Sequence, residues 1–168
     1  MIRKHLLFAL FLSMGMAGGC YHMRITPQPL PSYQIFAKSA PPEALAAVER
    51  LLNEDDFRLE SVDPSALTIL TGYRFFHNDS GFGQPPGGRD YFYRLQVTLR
   101  PDGGGTRVTL SGVDFELRSF YVYEDEGHLS TLKKRYPYEE YPGMFDLDAM
   151  TRELVRVQKL VKTGLAAE

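Results

Sequence analysis

Apolar and polar positions alternate most cleanly over residues 91–100. Tyr91, Tyr93, Leu95, Val97 and Leu99 take one side, and Phe92, Arg94, Gln96, Thr98 and Arg100 the other. A period of two sends successive side chains to opposite faces of a strand, so this run predicts a strand with one buried face. Weaker runs follow the same rule. Tyr33, Ile35 and Ala37 alternate with Gln34 and Lys38, with Phe36 out of pattern. Residues 57–63 form a short alternating run, closed by the turn Asp63-Pro64-Ser65. From Leu67, a single strand is predicted with Leu67, Ile69, Thr71, Tyr73 and Phe75 on one face. After the glycine-rich turn at 101–105, Val108 and Leu110 point one way and Val113, Phe115 and Leu117 the other. The phase changes at Gly112, which predicts a bulge there.

Two segments switch to the helical period. Behind Pro41 and Pro42, Leu45, Val48, Leu51 and Leu52 recur at steps of three and four, with Glu49, Arg50 and Glu54 on the other side. Proline fits a first helical turn because its missing N–H had no partner there. This helix is expected to end over 53–56. The second follows Asp146, a candidate N-cap, and carries the stripe Leu147, Met150, Leu154, Val157 and Val161. Lys162 complements its dipole and Gly164 is the predicted stop. Residues 118–144 show no clean period. Phe120, Tyr121, Val122 and Tyr123 extend the preceding strand or form another.

The resulting order is strand, helix, four strands, helix. Half-buried strands joined by hairpins suit an antiparallel sheet, and two amphipathic helices need a sheet to cover. The expectation is an α+β fold in two layers, a curved antiparallel sheet covered by helices. This β-α-β4-α order resembles the helix-grip, or TATA-binding-protein-like, topology.

The first residues have another pattern. Arg3, Lys4 and His5 precede an uncharged apolar run over 6–16, then Ala17, Gly18, Gly19 and Cys20. Basic, apolar and small segments in that order make an export signal. The run is short for a hydrocarbon core of about 30 Å, which takes roughly 20 helical residues. Cys20 is the single cysteine, so no intramolecular disulfide forms. The Ala-Gly-Gly-Cys segment resembles the lipobox of bacterial lipoproteins, with Ala17 where that family most often has Leu. The resemblance implies cleavage after residue 19, acylation of Cys20 and attachment to membrane lipid. Tyr21, in place of the Asp that retains enteric lipoproteins on the inner membrane, implies the periplasmic face of the outer membrane. Pro27, Pro29 and Pro31 predict an extended tether. The expected division is a signal peptide at 1–19, lipidated cysteine and tether at 20–31, and one α+β domain at 32–164.

Lipidation, a Pro-rich tether and this element order together resemble BamC, an accessory lipoprotein of the outer-membrane β-barrel assembly machinery. The segments ALAAVERLLN, FRLESVD and LTILTGY carry the helix–strand–strand start. That family has two such domains, and none of its functional residues maps onto this chain.

Composition narrows the function classes. With 19 basic and 21 acidic residues, the 168-residue chain has no excess of positive charge for nucleic acid. Ten Tyr and eleven Phe, without Trp, suit a sheet. The histidines past the leader, His22, His77 and His128, lack metal-ligand spacing, and Glu124-Asp125-Glu126 lacks the oxygen spacing of a calcium loop. Ser80 near His77 has no nucleophile-elbow context. Asp55-Asp56 and Glu139-Glu140 are adjacent acids, without the separation of a paired acid and base. No catalytic residue, metal or cofactor is expected.

Two segments invite binding. The loop HNDSGFGQPPGGRD at 77–90 is either a plain hairpin tip or a partner-contact loop anchored by Phe82. The segment KKRYPYEEY at 133–141 offers Lys133, Lys134, Arg135, Tyr136, Tyr138 and Tyr141 to a partner, or its tyrosines cover the open sheet edge. The expected function is a non-catalytic protein-interaction module among envelope proteins, in outer-membrane assembly or maintenance. The alternative is a carrier holding a small apolar ligand or lipid between the sheet and the C-terminal helix, lined by Tyr73, Phe75, Tyr93 or Leu154.

Overall fold

The computed structural model describes residues 26–79, 88–125 and 128–167, and of 121–125 and 128–132 the backbone alone. The leader 1–19, Cys20 and Phe82 lie outside the described residues. The elements are β1 (Ser32–Ala37), α1 (Pro41–Glu54), β2 (Leu59–Asp63), β3 (Thr68–Thr71), β4 (Arg74–Asp79), β5 (Gly88–Asp102), β6 (Gly105–Asp125), β7 (His128–Pro137) and α2 (Leu147–Ala166). All seven strands join one antiparallel sheet in the order β1-β6-β5-β3-β2, with β4 paired to β5 and β7 paired to β6. Both helices pack on one face, giving the expected α+β two-layer fold.

The long β5–β6 hairpin is the spine. Asp102 pairs with Gly105, and Gly103 and Gly104 between them take φ of +55° and +93°, which a two-residue hairpin turn requires. One half of the spine carries β1 and β3–β2, and the other half carries β4 and β7. Tyr91, Tyr93, Leu95, Val97 and Leu99 are buried against the helices, as their alternation predicts. Leu45, Val48 and Leu52 of α1 meet them, with Met150, Leu154, Val157 and Val161 of α2. Asp146 caps α2 by accepting from the Ala149 N–H at 2.9 Å.

The four strands expected between the helices are six. The single strand predicted from Leu67 is broken at Gly72 and Tyr73. There the Leu95 N–H donates to Thr71 Oγ1 at 2.9 Å, Arg94 Nε donates to the Thr71 carbonyl at 3.0 Å, and the Gly72 N–H donates to the Arg58 carbonyl at 2.8 Å. Side chains thus replace part of the ladder, and pairing resumes at Arg74 opposite Tyr93. The predicted facing changes with the break. Ile69 and Thr71 are buried, whereas Tyr73 and Phe75 are exposed and Phe76 joins the core edge-on to Tyr93 and Phe115.

The bulge lies two residues past its predicted place. Arg94 faces Val113 and Phe92 faces Glu116, so Asp114 and Phe115 together oppose Tyr93. Asp114 takes φ of +50°, and Phe115 rather than Val113 turns to the core. Gly112 has a different use, since a Cβ there would stand 2.6 Å from the Phe115 ring. The loop expected at 77–90 is shortened from both sides, because β4 runs to Asp79 and β5 starts at Gly88. Phe120 extends β6, which runs on to Asp125 and turns back as β7. Gly164 does not end α2. The helix continues to Ala166, and Gly164 is needed where α2 crosses α1.

Candidate functional site: the outer sheet face and the β7 edge

The sheet face away from the helices carries a row of aromatic and arginine side chains. Phe75 and Phe92, cross-strand partners, meet edge-on at 5.8 Å between ring centres. The Arg118 guanidinium lies over Phe92 at 3.9 Å and over Tyr73 at 5.2 Å. Such stacking uses the negative ring face and keeps both partners ordered at the surface. Glu116 binds Arg118, while Arg94 is held by Glu60 at 2.6 Å and Asp114 at 3.1 Å. Partial burial raises the Tyr73 phenol above its ordinary value, helped by the carboxylates of Glu116 and Asp114. Tyr73, Phe75 and Phe120 stay 44%, 51% and 47% exposed, although Phe120 closes over Gly88.

The face ends at β7. Lys133 and Arg135 pair with Phe120 and Arg118, and so share their side of the sheet. Together with Lys134, Ser119 and Asp90 they line an open depression of about 700 Å³. The sequence segment at 133–141 therefore divides. Lys133, Lys134 and Arg135 are exposed and come together with Arg118. Tyr136 is half-buried on the helix side and meets the partly exposed Tyr141 edge-on at 5.2 Å.

Tyr138 is not a partner contact. It is buried, edge-on to Phe145, and its hydroxyl accepts from the Gln28 N–H at 3.0 Å and donates to the Gln28 carbonyl at 3.1 Å. The ring fills the core at the end of β7 because the Tyr138 N–H continues the ladder to the Phe115 carbonyl. Its polar tip then holds the tether against the domain.

A cluster that the sequence pattern did not reveal ties the helices to β4 and β5. Arg156 donates to Asp55 at 2.9 Å and to Glu153 at 2.8 Å. Arg74 lies 3.3 Å from Asp55 and 3.8 Å from Glu153, over the Phe57 ring at 4.1 Å. The Tyr93 hydroxyl donates to Glu153 at 2.9 Å. Burial pushes the Tyr93 phenol far above its ordinary value and Glu153 adds to the shift, while the hydrogen bond to Glu153 raises Arg156. Two arginines against two carboxylates leave the cluster balanced, and every member has a partner. Its one advance signal was Glu153 and Arg156 three residues apart, at the margin of the apolar stripe.

The lining expected of a carrier is split between the two faces. Tyr93 and Leu154 are fully packed on the helix side, and Tyr73 and Phe75 stand on the other. An open groove of about 880 Å³ does lie between β1 and the end of α2, beside Phe36, Lys38, Lys162 and Leu165. Among the described residues no three His, Cys, Asp or Glu side chains gather as metal ligands, and no helix is long and apolar enough to cross a membrane.

No family model matches the chain, and no curated protein matches it. A solved structure of a DUF4468 family protein from Bacteroides ovatus is similar, at 14% identity and a TM-score of 0.50, over 86% of this chain and 90% of that one. At that identity the likeness concerns the fold alone.

Proposed function

We propose that the chain is an envelope lipoprotein, anchored by acylated Cys20 at the periplasmic face of the outer membrane, that works as a non-catalytic protein-interaction module. The observation that carries this reading is the exposed row of Tyr73 and Phe75, beside the Arg118 stacked on Phe92. Single exposed apolar residues are ordinary, but adjoining aromatics and arginines have the composition of binding hot spots. Phe75, Phe92 and Arg118 are held in register by β4, β5 and β6, and Tyr73, at the break before β4, packs under the Arg118 guanidinium. Little further ordering is then required on binding. The resemblance to BamC supports outer-membrane assembly or maintenance as the setting.

The test is a crosslinking pull-down from intact envelopes with the wild type, Cys20→Ala and Tyr73→Ser/Phe75→Ser, with the mass of Cys20 determined in parallel. Envelope proteins recovered by the wild type and lost from the double variant support the reading. Equal recovery by wild type and double variant rejects this face as the contact, and an unmodified Cys20 rejects the anchor.

A further inference from the structure

We infer that the β7 edge faces the bilayer, and that Lys133, Lys134 and Arg135 bind anionic phospholipid headgroups there. The inference rests on reading Cys20 as the lipid anchor. Tyr138 holds both backbone groups of Gln28. Only the eight residue steps from Cys20 to Gln28 separate the acyl chains from that point. An extended chain covers at most about 3.5 Å per residue, so Tyr138 lies within roughly 28 Å of the membrane surface. Along a strand, a rise of about 3.3 Å per residue places Arg135 about 10 Å and Lys133 about 17 Å from Tyr138. The basic edge can therefore reach the headgroups with the anchor in place, Lys133 lying no more than about 45 Å from them.

Charge favours the same contact. Lys133 and Lys134 have no acidic partner among the described residues, and Arg135 has only Glu116 at 4.0 Å, which already binds Arg118. Lysines and arginines near an anionic surface each add to attraction within a Debye length. The depression these residues line, about 700 Å³ in volume, is open enough to admit a headgroup phosphate. Phe120 on its rim supplies an apolar ring of the kind that enters the headgroup–acyl boundary beside basic residues. Lysines on an edge strand also discourage pairing with another strand, a role that calls for no lipid.

The chain has no Trp, so one introduced indole reports its own position. The mature acylated protein is reconstituted into phosphatidylcholine vesicles, with or without phosphatidylglycerol, containing headgroup-labelled quencher lipid. Phe120→Trp reports the β7 edge, and Phe36→Trp reports a site about 40 Å away by strand rise. Quenching of Phe120→Trp is expected to rise with phosphatidylglycerol, while Phe36→Trp stays unquenched. Lys133→Gln/Lys134→Gln in the Phe120→Trp background is expected to remove the increase, with thermal unfolding unchanged because both side chains are exposed. Quenching that ignores phosphatidylglycerol or the double substitution overturns the inference, and leaves the edge to an acidic protein or to blocking strand pairing. Mass spectrometry of the starting protein separates the two failures. An unacylated Cys20 removes the anchor and this inference together, whereas acylated protein without the quenching response removes this inference only.

Discussion

Gly164 of α2 lies so close to Leu51 of α1 that a Cβ on Gly164 would stand 2.3 Å from Leu51 Cδ2 and 2.9 Å from Leu51 Cγ. The missing side chain sets how near the two helices approach. In an exposed helix, Gly→Ala gains up to about 1 kcal/mol of helix propensity. Here overpacking, typically about 1–3 kcal/mol, should exceed that gain. Gly164→Ala is expected to lower stability in urea unfolding, and Leu51→Ala/Gly164→Ala to be more stable than the sum of the single effects implies. An additive double variant would rule out the clash as the cause.

Tyr138→Phe keeps the buried ring and removes only the hydroxyl that holds Gln28. About 1 kcal/mol of stability should be lost for the hydrogen bonds. The larger effect is local. Hydrogen exchange at the Gln28 amide is expected to approach that of an open chain, while amides in β5 keep their protection. An unchanged Gln28 exchange rate would mean that the tether is held by something other than Tyr138.

Glu153 accepts from Tyr93, and from Arg156 through two nitrogens, at 2.8–3.0 Å. Glu153→Gln keeps the shape but takes away the charge that faces Arg74 and Arg156. Hydrogen bonds to charged groups contribute about 1.5–3 kcal/mol, and a loss within that range is expected in urea unfolding. Because Tyr93 acts through the same carboxylate, Tyr93→Phe/Glu153→Gln should cost less than the two single changes together. Full additivity would show that the Tyr93–Glu153 bond is energetically idle.

Tyr93 also makes stability depend on pH. Burial, and then Glu153, hold its phenol protonated well above the ordinary value of 10.0. The folded state keeps a proton that the unfolded chain releases. The contribution is therefore complete below pH 10 and declines as pH rises above it, by up to about 1.4 kcal/mol per pH unit for one group. Tyr91, raised by its own burial, acts in the same direction. Urea unfolding measured from neutral to strongly alkaline pH should show this decline. Tyr93→Phe should be less stable at neutral pH yet lose stability less steeply in alkali. Parallel alkaline slopes for the variant and the wild type would exclude Tyr93 as the source.

The elements whose burial repeats locally were legible in the chain itself. The alternation of Tyr91, Tyr93, Leu95, Val97 and Leu99, the two helical stripes and the Asp146 cap all follow from a period or a short-range hydrogen bond. The exposure of Lys133, Lys134 and Arg135 was legible from their charge alone, since such side chains are almost never fully buried without a partner.

Other features depended on partners far along the chain. The break at Gly72 exists because Arg94 and Leu95 take the hydrogen-bonding groups of Thr71, more than twenty residues away. That break turns Tyr73 and Phe75 outward and creates the aromatic face. Tyr138 and Tyr141 look alike in a list of residues, but only Tyr138 lies over Phe145 and reaches Gln28. Gly164 reads as a helix stop until a second helix crosses it. Sequence by itself settled which faces are apolar, since that is a local property of each strand or helix. The tertiary structure decided which polar groups, rings and backbones meet, since register and close approach are set by elements distant in the chain.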